Sequence, residues 1–200
     1  MKTIIITGAS GSGKSYLSNK LSKLFFNSIV IKTDSYYRDD ILIRLLSIFL
    51  YDIYDRPLSI MKNEINKTLR CIHNKDKLIS SYKYNFIGKH SSQSKISINY
   101  KGENQFLIVE GIFAHRLDLN YQETINILCD EEKEICYKRR LDRDKLERGR
   151  NSIEVNKKFN KSWNLFNNNI KNYLKKNNII RINTVDNESY NKLVCHLKNN

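Results

Sequence analysis

Apolar positions along the chain fall into two alternating kinds of run. Short, β-branched runs at Ile4–Thr7, Ser28–Lys32, Gln105–Glu110, Thr124–Cys129 and Ile179–Ile182 read as strands. Their continuity, rather than alternation, marks strands covered on both faces. Between them the spacing turns helical. Leu17, Leu21 and Leu24 share one face of a helix over Lys14–Phe26, and Pro57, the single proline, suits the first position of a helix to about Ile72. Residues 130–144 predict a further helix, a long polar one continues to about Lys176, and a last helix ends near Leu197. Residues 83–100 alternate polar and apolar positions and predict a β-hairpin. Ile41–Leu50, broken only by Arg44 and Ser47, predicts a buried helix; a helix apolar on every side must be covered, by the core or by a second subunit. Strands alternating with helices predict an α/β fold with a parallel sheet wrapped by helices, as one domain over residues 1–200.

The 200 residues are 40% hydrophobic and 28% charged, an ordinary globular balance. A net charge of +14 raises the prospect of polyanion binding. The basic residues are spread along the chain, however, which fits a solvated basic surface with local attraction for phosphates, and nucleic acid is not an expected partner. Cys71, Cys129, Cys136 and Cys195 form no Cys-x-x-Cys pair and have no His at metal spacing, so they read as reduced thiols. The apolar start is too short for a signal segment and no run reaches membrane-helix length. A cytoplasmic location without a membrane partner is the expectation.

Gly8-Ala9-Ser10-Gly11-Ser12-Gly13-Lys14-Ser15 matches G-x-x-x-x-G-K-[ST] between a predicted strand and a predicted helix. Gly8, Ser10, Gly11, Ser12 and Gly13 would let backbone N–H groups converge on phosphates at a helix N-terminus. Lys14 would reach the β- and γ-phosphates, and Ser15 would place its hydroxyl on Mg²⁺. The sheet is therefore expected to be of the P-loop NTPase type, with ATP (or GTP) and Mg²⁺ as its ligands. Phosphoryl transfer needs a group that holds and deprotonates an acceptor hydroxyl. Asp34, just after the second strand, is the first candidate, with Tyr36 and Tyr37 as an aromatic wall. Glu110, at a strand end before Gly111, would help order the metal. Five arginines lie among residues 139–150, namely Arg139, Arg140, Arg143, Arg148 and Arg150, and suit a cationic flap that closes over phosphates.

Together these elements resemble the uridine kinase (uridine–cytidine kinase) family over roughly residues 3–196. The segments carrying the resemblance are the phosphate loop, Asp34-Ser35-Tyr36-Tyr37-Arg38, Tyr54-Asp55-Arg56-Pro57, Val109-Glu110-Gly111-Ile112-Phe113 and the basic run at 139–150. The resemblance implies a small β-hairpin over the nucleoside at about 83–100 and a lid at about 139–152. It implies Asp34 as base for the ribose 5′-hydroxyl, Tyr37 beside the nucleoside, and Asp55 with Arg140 on the ribose 2′- and 3′-hydroxyls. Arg143, Arg148 and Arg150 would meet phosphates or nucleoside, with Arg143 counted among the catalytic groups, and Tyr84, Phe86 and His90 would read the base. Three positions depart from the family pattern: Asn85 replaces an aspartate, Lys89 competes with a displaced His90, and Lys158 replaces a glutamine. The implied reaction makes UMP from uridine and extends to cytidine, in a dimer or tetramer. A related kinase with another acceptor, phosphoribulokinase-like or nicotinamide riboside kinase-like, is the alternative. A basic regulatory protein that binds nucleotide or nucleic acid is the reading from outside the enzymes.

Overall fold

The computed structural model describes residues 1–50, 53–100, 106–117, 119, 124–176 and 178–199. Its centre is a five-stranded, wholly parallel sheet of β1 (Lys2–Gly8), β2 (Ile29–Lys32), β5 (Phe106–Glu110), β6 (Thr124–Cys129) and β7 (Ile179–Ile182), in the order β2-β5-β1-β6-β7. Gln105, expected to open β5, lies outside the described residues. Alternate residues of the central strands enter two separate cores. Ile5, Leu107, Val109 and Leu128 meet α3 (Lys62–His73) and α5 (Ser152–Lys176) on one face, through Ile65, Leu69, Phe166 and Ile170. Ile4, Ile6, Ile108 and Ile127 meet α1 (Lys14–Leu24) and α6 (Asn187–Asn199) on the other, through Leu17, Leu21, Leu193 and Leu197. That two-sided burial is why these strands read as unbroken apolar runs.

Three expected elements differ. The helix expected from Pro57 begins only at Lys62, and Pro57–Ser59 is a single 3₁₀ turn. Ile60 is held instead in an antiparallel bridge to Tyr37, with Arg38 N–H donating to Ser59 O at 2.7 Å and Met61 N–H to Tyr36 O at 2.9 Å. The hairpin consists of β3 (Leu78–Asn85) and β4 (His90–Ser97), so it starts five residues before the expected 83. The apolar helix α2 (Ile41–Phe49) forms, capped by Asp40, whose carboxylate accepts from Ile43 N–H at 3.2 Å. It is not buried, however. Ile43 alone is fully enclosed, while Ile41, Leu42, Leu45, Ile48 and Phe49 are exposed. Among the described residues no helix is long and apolar enough to cross a membrane.

Behind the sheet end, the turn Ala114–Arg116 places His115 in the core. The hydroxyl of Thr7 lies 3.0 Å from its Nδ1, and burial, with help from Arg116, pushes the imidazole down to about 4. An unfolded imidazole takes up its proton near 6.5, whereas the folded one resists until about 4. Stability supplied by the neutral ring is therefore intact above about 6.5 and declines as pH falls through that window, by up to about 3 kcal/mol. Urea midpoints measured from pH 7 to 4 should fall less in His115→Gln than in the native chain. Parallel curves for the two proteins would reject this assignment.

Candidate active site

The phosphate loop follows β1 and runs directly into α1. Two of its glycines have no substitute. Gly11 (φ 87°) and Gly13 (φ 85°) are left-handed, and a Cβ on Gly11 would fall 2.1 Å from the carbonyl oxygen of Cys136. Lys14 is buried and donates to Ala9 O at 2.7 Å, closing the loop around its own ammonium. Ser12 Oγ is buried with no partner among the described residues. The loop rests on a brace: the Glu131 carboxylate accepts from Thr184 Oγ1 at 2.7 Å and from Arg139 at 3.0 Å, and the same Arg139 nitrogen lies 3.4 Å from Gly11 O.

Parallel pairing of β1 with β5 and of β5 with β2 puts three strand ends side by side. Ser15 Oγ, at the start of α1, donates to Glu110 Oε1 at 2.7 Å. Burial first, then the nearby charge of Asp34, raises the carboxyl of Glu110 above its ordinary value. Asp34 Oδ1 is buried without a partner among the described residues. A buried carboxylate oxygen left unmatched is costly and calls for a ligand. The Ser15 hydroxyl and the Glu110 carboxylate suit Mg²⁺, which keeps several waters and phosphate oxygens rather than filling an all-protein cage. Among the described residues no group of three or more His, Cys, Asp or Glu that could hold a metal is found.

One cavity of about 110 Å³ runs from Ser10 of the loop past Asp34 to Asp55 and Arg140. Arg140, 3% exposed, grips Asp55 through two nitrogens at 3.4 and 3.3 Å and is steadied by Ser162 Oγ at 2.6 Å. Beyond the pair stands a box of rings. Tyr37 lies 5.7 Å from Tyr54, 5.3 Å from Tyr84 and 5.9 Å from Phe86, each edge to face, as suits a pocket for a flat ring. Burial, reinforced by Asp34 and Asp55, holds the Tyr37 phenol well above its usual value, so it stays neutral. At the hairpin turn Lys89 adopts φ 49° and lines the cavity, as does Lys158, whereas His90, the first residue of β4, is not among its lining residues. Asn85 caps the turn, accepting from Ile87 and Gly88 N–H at 3.0 and 2.9 Å.

The expected flap is the second half of α4 (Lys133–Arg148), which ends at the left-handed Gly149. Sequence reasoning singled out its arginines but not the residue that gathers them. Asp144, fully buried, accepts from Arg143 at 2.8 and 3.0 Å and from Arg150 at 2.8 Å, and ion-pairs Arg148 at 3.4 Å and Arg140 at 3.7 Å. Burial opposes its charge, yet Arg143 and Arg148 hold its carboxyl below the ordinary value. The signal was present in the spacing, because positions 140, 144 and 148 fall on one helix face. From this hub Arg143 reaches within 3.5 Å of Ser10 Oγ, and Arg148 lies 4.1 Å above the Phe86 ring, joining α4 to the hairpin.

A wholly parallel sheet with a complete phosphate loop, and a cavity opening beside that loop, defines a P-loop kinase: an enzyme that binds a nucleotide and phosphorylates a small molecule. A model of the phosphoribulokinase / uridine kinase family matches residues 3–188, and the chain belongs to that family. It is 32% identical over 157 residues to a uridine kinase of Staphylococcus aureus, covering 76% of this chain and 73% of that one. To a uridine kinase of Borrelia turicatae it is 31% identical over 156 residues, covering 75% and 70%. A solved structure described as a possible uridine kinase from Bacillus stearothermophilus superposes with a TM-score of 0.60 at 13% identity, over 90% of this chain and 87% of the other, and shares the fold.

Proposed function

We propose that the chain transfers the terminal phosphoryl group of ATP, or of GTP, to the 5′-hydroxyl of uridine, with cytidine as a second acceptor, giving the nucleoside monophosphate in the cytoplasm. The observation that carries this reading is the single cavity joining Ser10 of the phosphate loop, the unmatched Asp34, the Asp55–Arg140 pair and the aromatic box. Asp34 takes the proton of the attacking hydroxyl, whose oxygen bonds to phosphorus as the bond to the leaving diphosphate breaks. Asp55 accepts hydrogen bonds from two vicinal ribose hydroxyls and is fixed for that by Arg140. Lys14 and Arg143 meet the charge on the transferred group, while Arg148 and Arg150 cover the site. Ser15 and Glu110 would hold Mg²⁺, which when bound neutralises phosphate charge. Tyr37, Tyr84 and Phe86 clasp the base, and Lys89, in place of His90, donates to a ring oxygen.

The cavity's cations support a second reading. Lys89 and Lys158 enter it beside Arg148 and Arg150, which also suits an acceptor bearing a negative group, such as a phosphorylated sugar. A coupled assay of ADP release over uridine, cytidine, nicotinamide riboside and ribulose 5-phosphate separates the two. Uridine should turn over fastest, and Lys89→Met should raise its KM about tenfold, with little change in kcat, through loss of one donor. Uridine at background while another compound is consumed would reject the uridine reading.

A further inference from the structure

A second cavity, of about 290 Å³, lies behind the acceptor site and shares no lining residue with it. Its walls are apolar: Ile60, Ile65, Phe113, Leu117 and the ring of Pro57. Its polar features are few and convergent. Thr33 lines it, 1% exposed, and its Oγ1 has no partner among the described residues. Arg116 stands at its edge, donating to the neutral Asn169 side-chain oxygen and to no carboxylate among the described residues. Lys62 also lines it and begins α3, whose first turn carries no side-chain cap. The positive end of that helix faces the same mouth, and the Glu64 carboxylate in its first turn is engaged by the Tyr82 hydroxyl at 2.9 Å. An apolar chamber with an unsatisfied hydroxyl and a cationic mouth is the form of a small-ligand site.

We propose that this chamber is an effector site for a small amphipathic anion, an apolar body about the size of a phenyl ring carrying one carboxylate. The apolar body fills the space between Phe113, Ile65 and Leu117, and the carboxylate meets Arg116 and the α3 N-terminus. The position gives it a route to the active site. Three segments line both cavities through near neighbours in sequence: Thr33 and Asp34, Pro57 and Asp55, Phe113 and Ile112. These segments hold the groups that face the acceptor, so an occupant that moves them alters acceptor binding. Thr33 is clamped against Gly111, where a Cβ would fall 1.7 Å from the Thr33 hydroxyl, so the turn bearing Asp34 has little slack.

The probe is 4-phenylbutyrate, with uncharged 4-phenylbutyramide as its control. Calorimetric titration of the full chain should show saturable binding of the acid at millimolar concentration or below. The amide should bind at least tenfold more weakly, Arg116→Gln should weaken the acid about tenfold, and Leu117→Trp should abolish its binding by filling the chamber. Absence of saturable binding, or equal binding by Leu117→Trp with a native melting curve, overturns the site. Should Leu117→Trp fail to fold, the surface change Arg116→Gln decides: undiminished affinity for the acid overturns the site equally. The kinetic arm rests on the uridine reading. Saturating acid should shift kcat/KM for uridine at least threefold in the native chain and leave Arg116→Gln at the same concentration less responsive. Binding without any such shift overturns the effector role, whereas a chain that turns over no uridine yet binds the acid overturns the uridine reading alone.

Discussion

Asp34→Asn should leave ATP affinity unchanged while lowering turnover by about 10²–10⁴-fold, the usual worth of a positioned general base. The amide keeps the shape of the side chain and its place at the cavity wall but cannot take a proton. Two features single this residue out. Its Oδ1 is buried with no partner among the described residues, unlike Asp55 and Asp144, whose oxygens are engaged by arginines. It also neighbours Glu110, whose carboxyl it helps to raise. Removing its charge should relieve Glu110, so a modest gain in stability is expected alongside the lost rate. Single-turnover measurement with saturating ATP and uridine separates chemistry from binding. Near-native turnover in Asp34→Asn would remove it from the proposed role and leave the acceptor hydroxyl without a base in this cavity.

The second large effect is expected at Asp144. Four arginine side chains converge on this buried carboxylate, and one of them, Arg140, also anchors Asp55. Removing one member of a buried ionic cluster strands the others, at a cost of about 3–5 kcal/mol. Asp144→Ala should therefore lower the urea-derived stability by about that amount. Milder Asp144→Asn, which keeps hydrogen-bonding capacity, should fold and instead raise the KM for both substrates, since Arg143 and Arg148 lose their fixed directions and Arg140 loses one of its two carboxylate partners. High salt should partly restore Asp144→Ala by screening the arginines from one another. Unaltered stability and kinetics in both variants would mean that the hub does not organise the lid.

Much of this molecule was legible along the chain, for reasons that are local. The five sheet strands announced themselves because parallel strands covered on both faces must be apolar throughout, and the phosphate loop because its glycines and lysine are needed at fixed separations whatever surrounds them. Other features depended on partners far away in sequence. Helix α2 reads as a core element by composition, yet its apolar face stays exposed because the sheet already has its covering helices. Pro57 failed to start a helix because Tyr37, twenty residues earlier, claims the backbone of Ile60. Whether Lys89 or His90 enters the cavity turned on one left-handed residue in a hairpin turn, which sequence alternation does not encode. Asp144 looked like one more charge on a solvated helix until folding brought Arg150 back upon it from beyond Gly149. The chain thus determined by itself the elements and the nucleotide loop, since these follow from nearest-neighbour chemistry. Only the tertiary structure decided which charges are buried together, because burial and pairing are properties of surfaces that meet after the chain has folded.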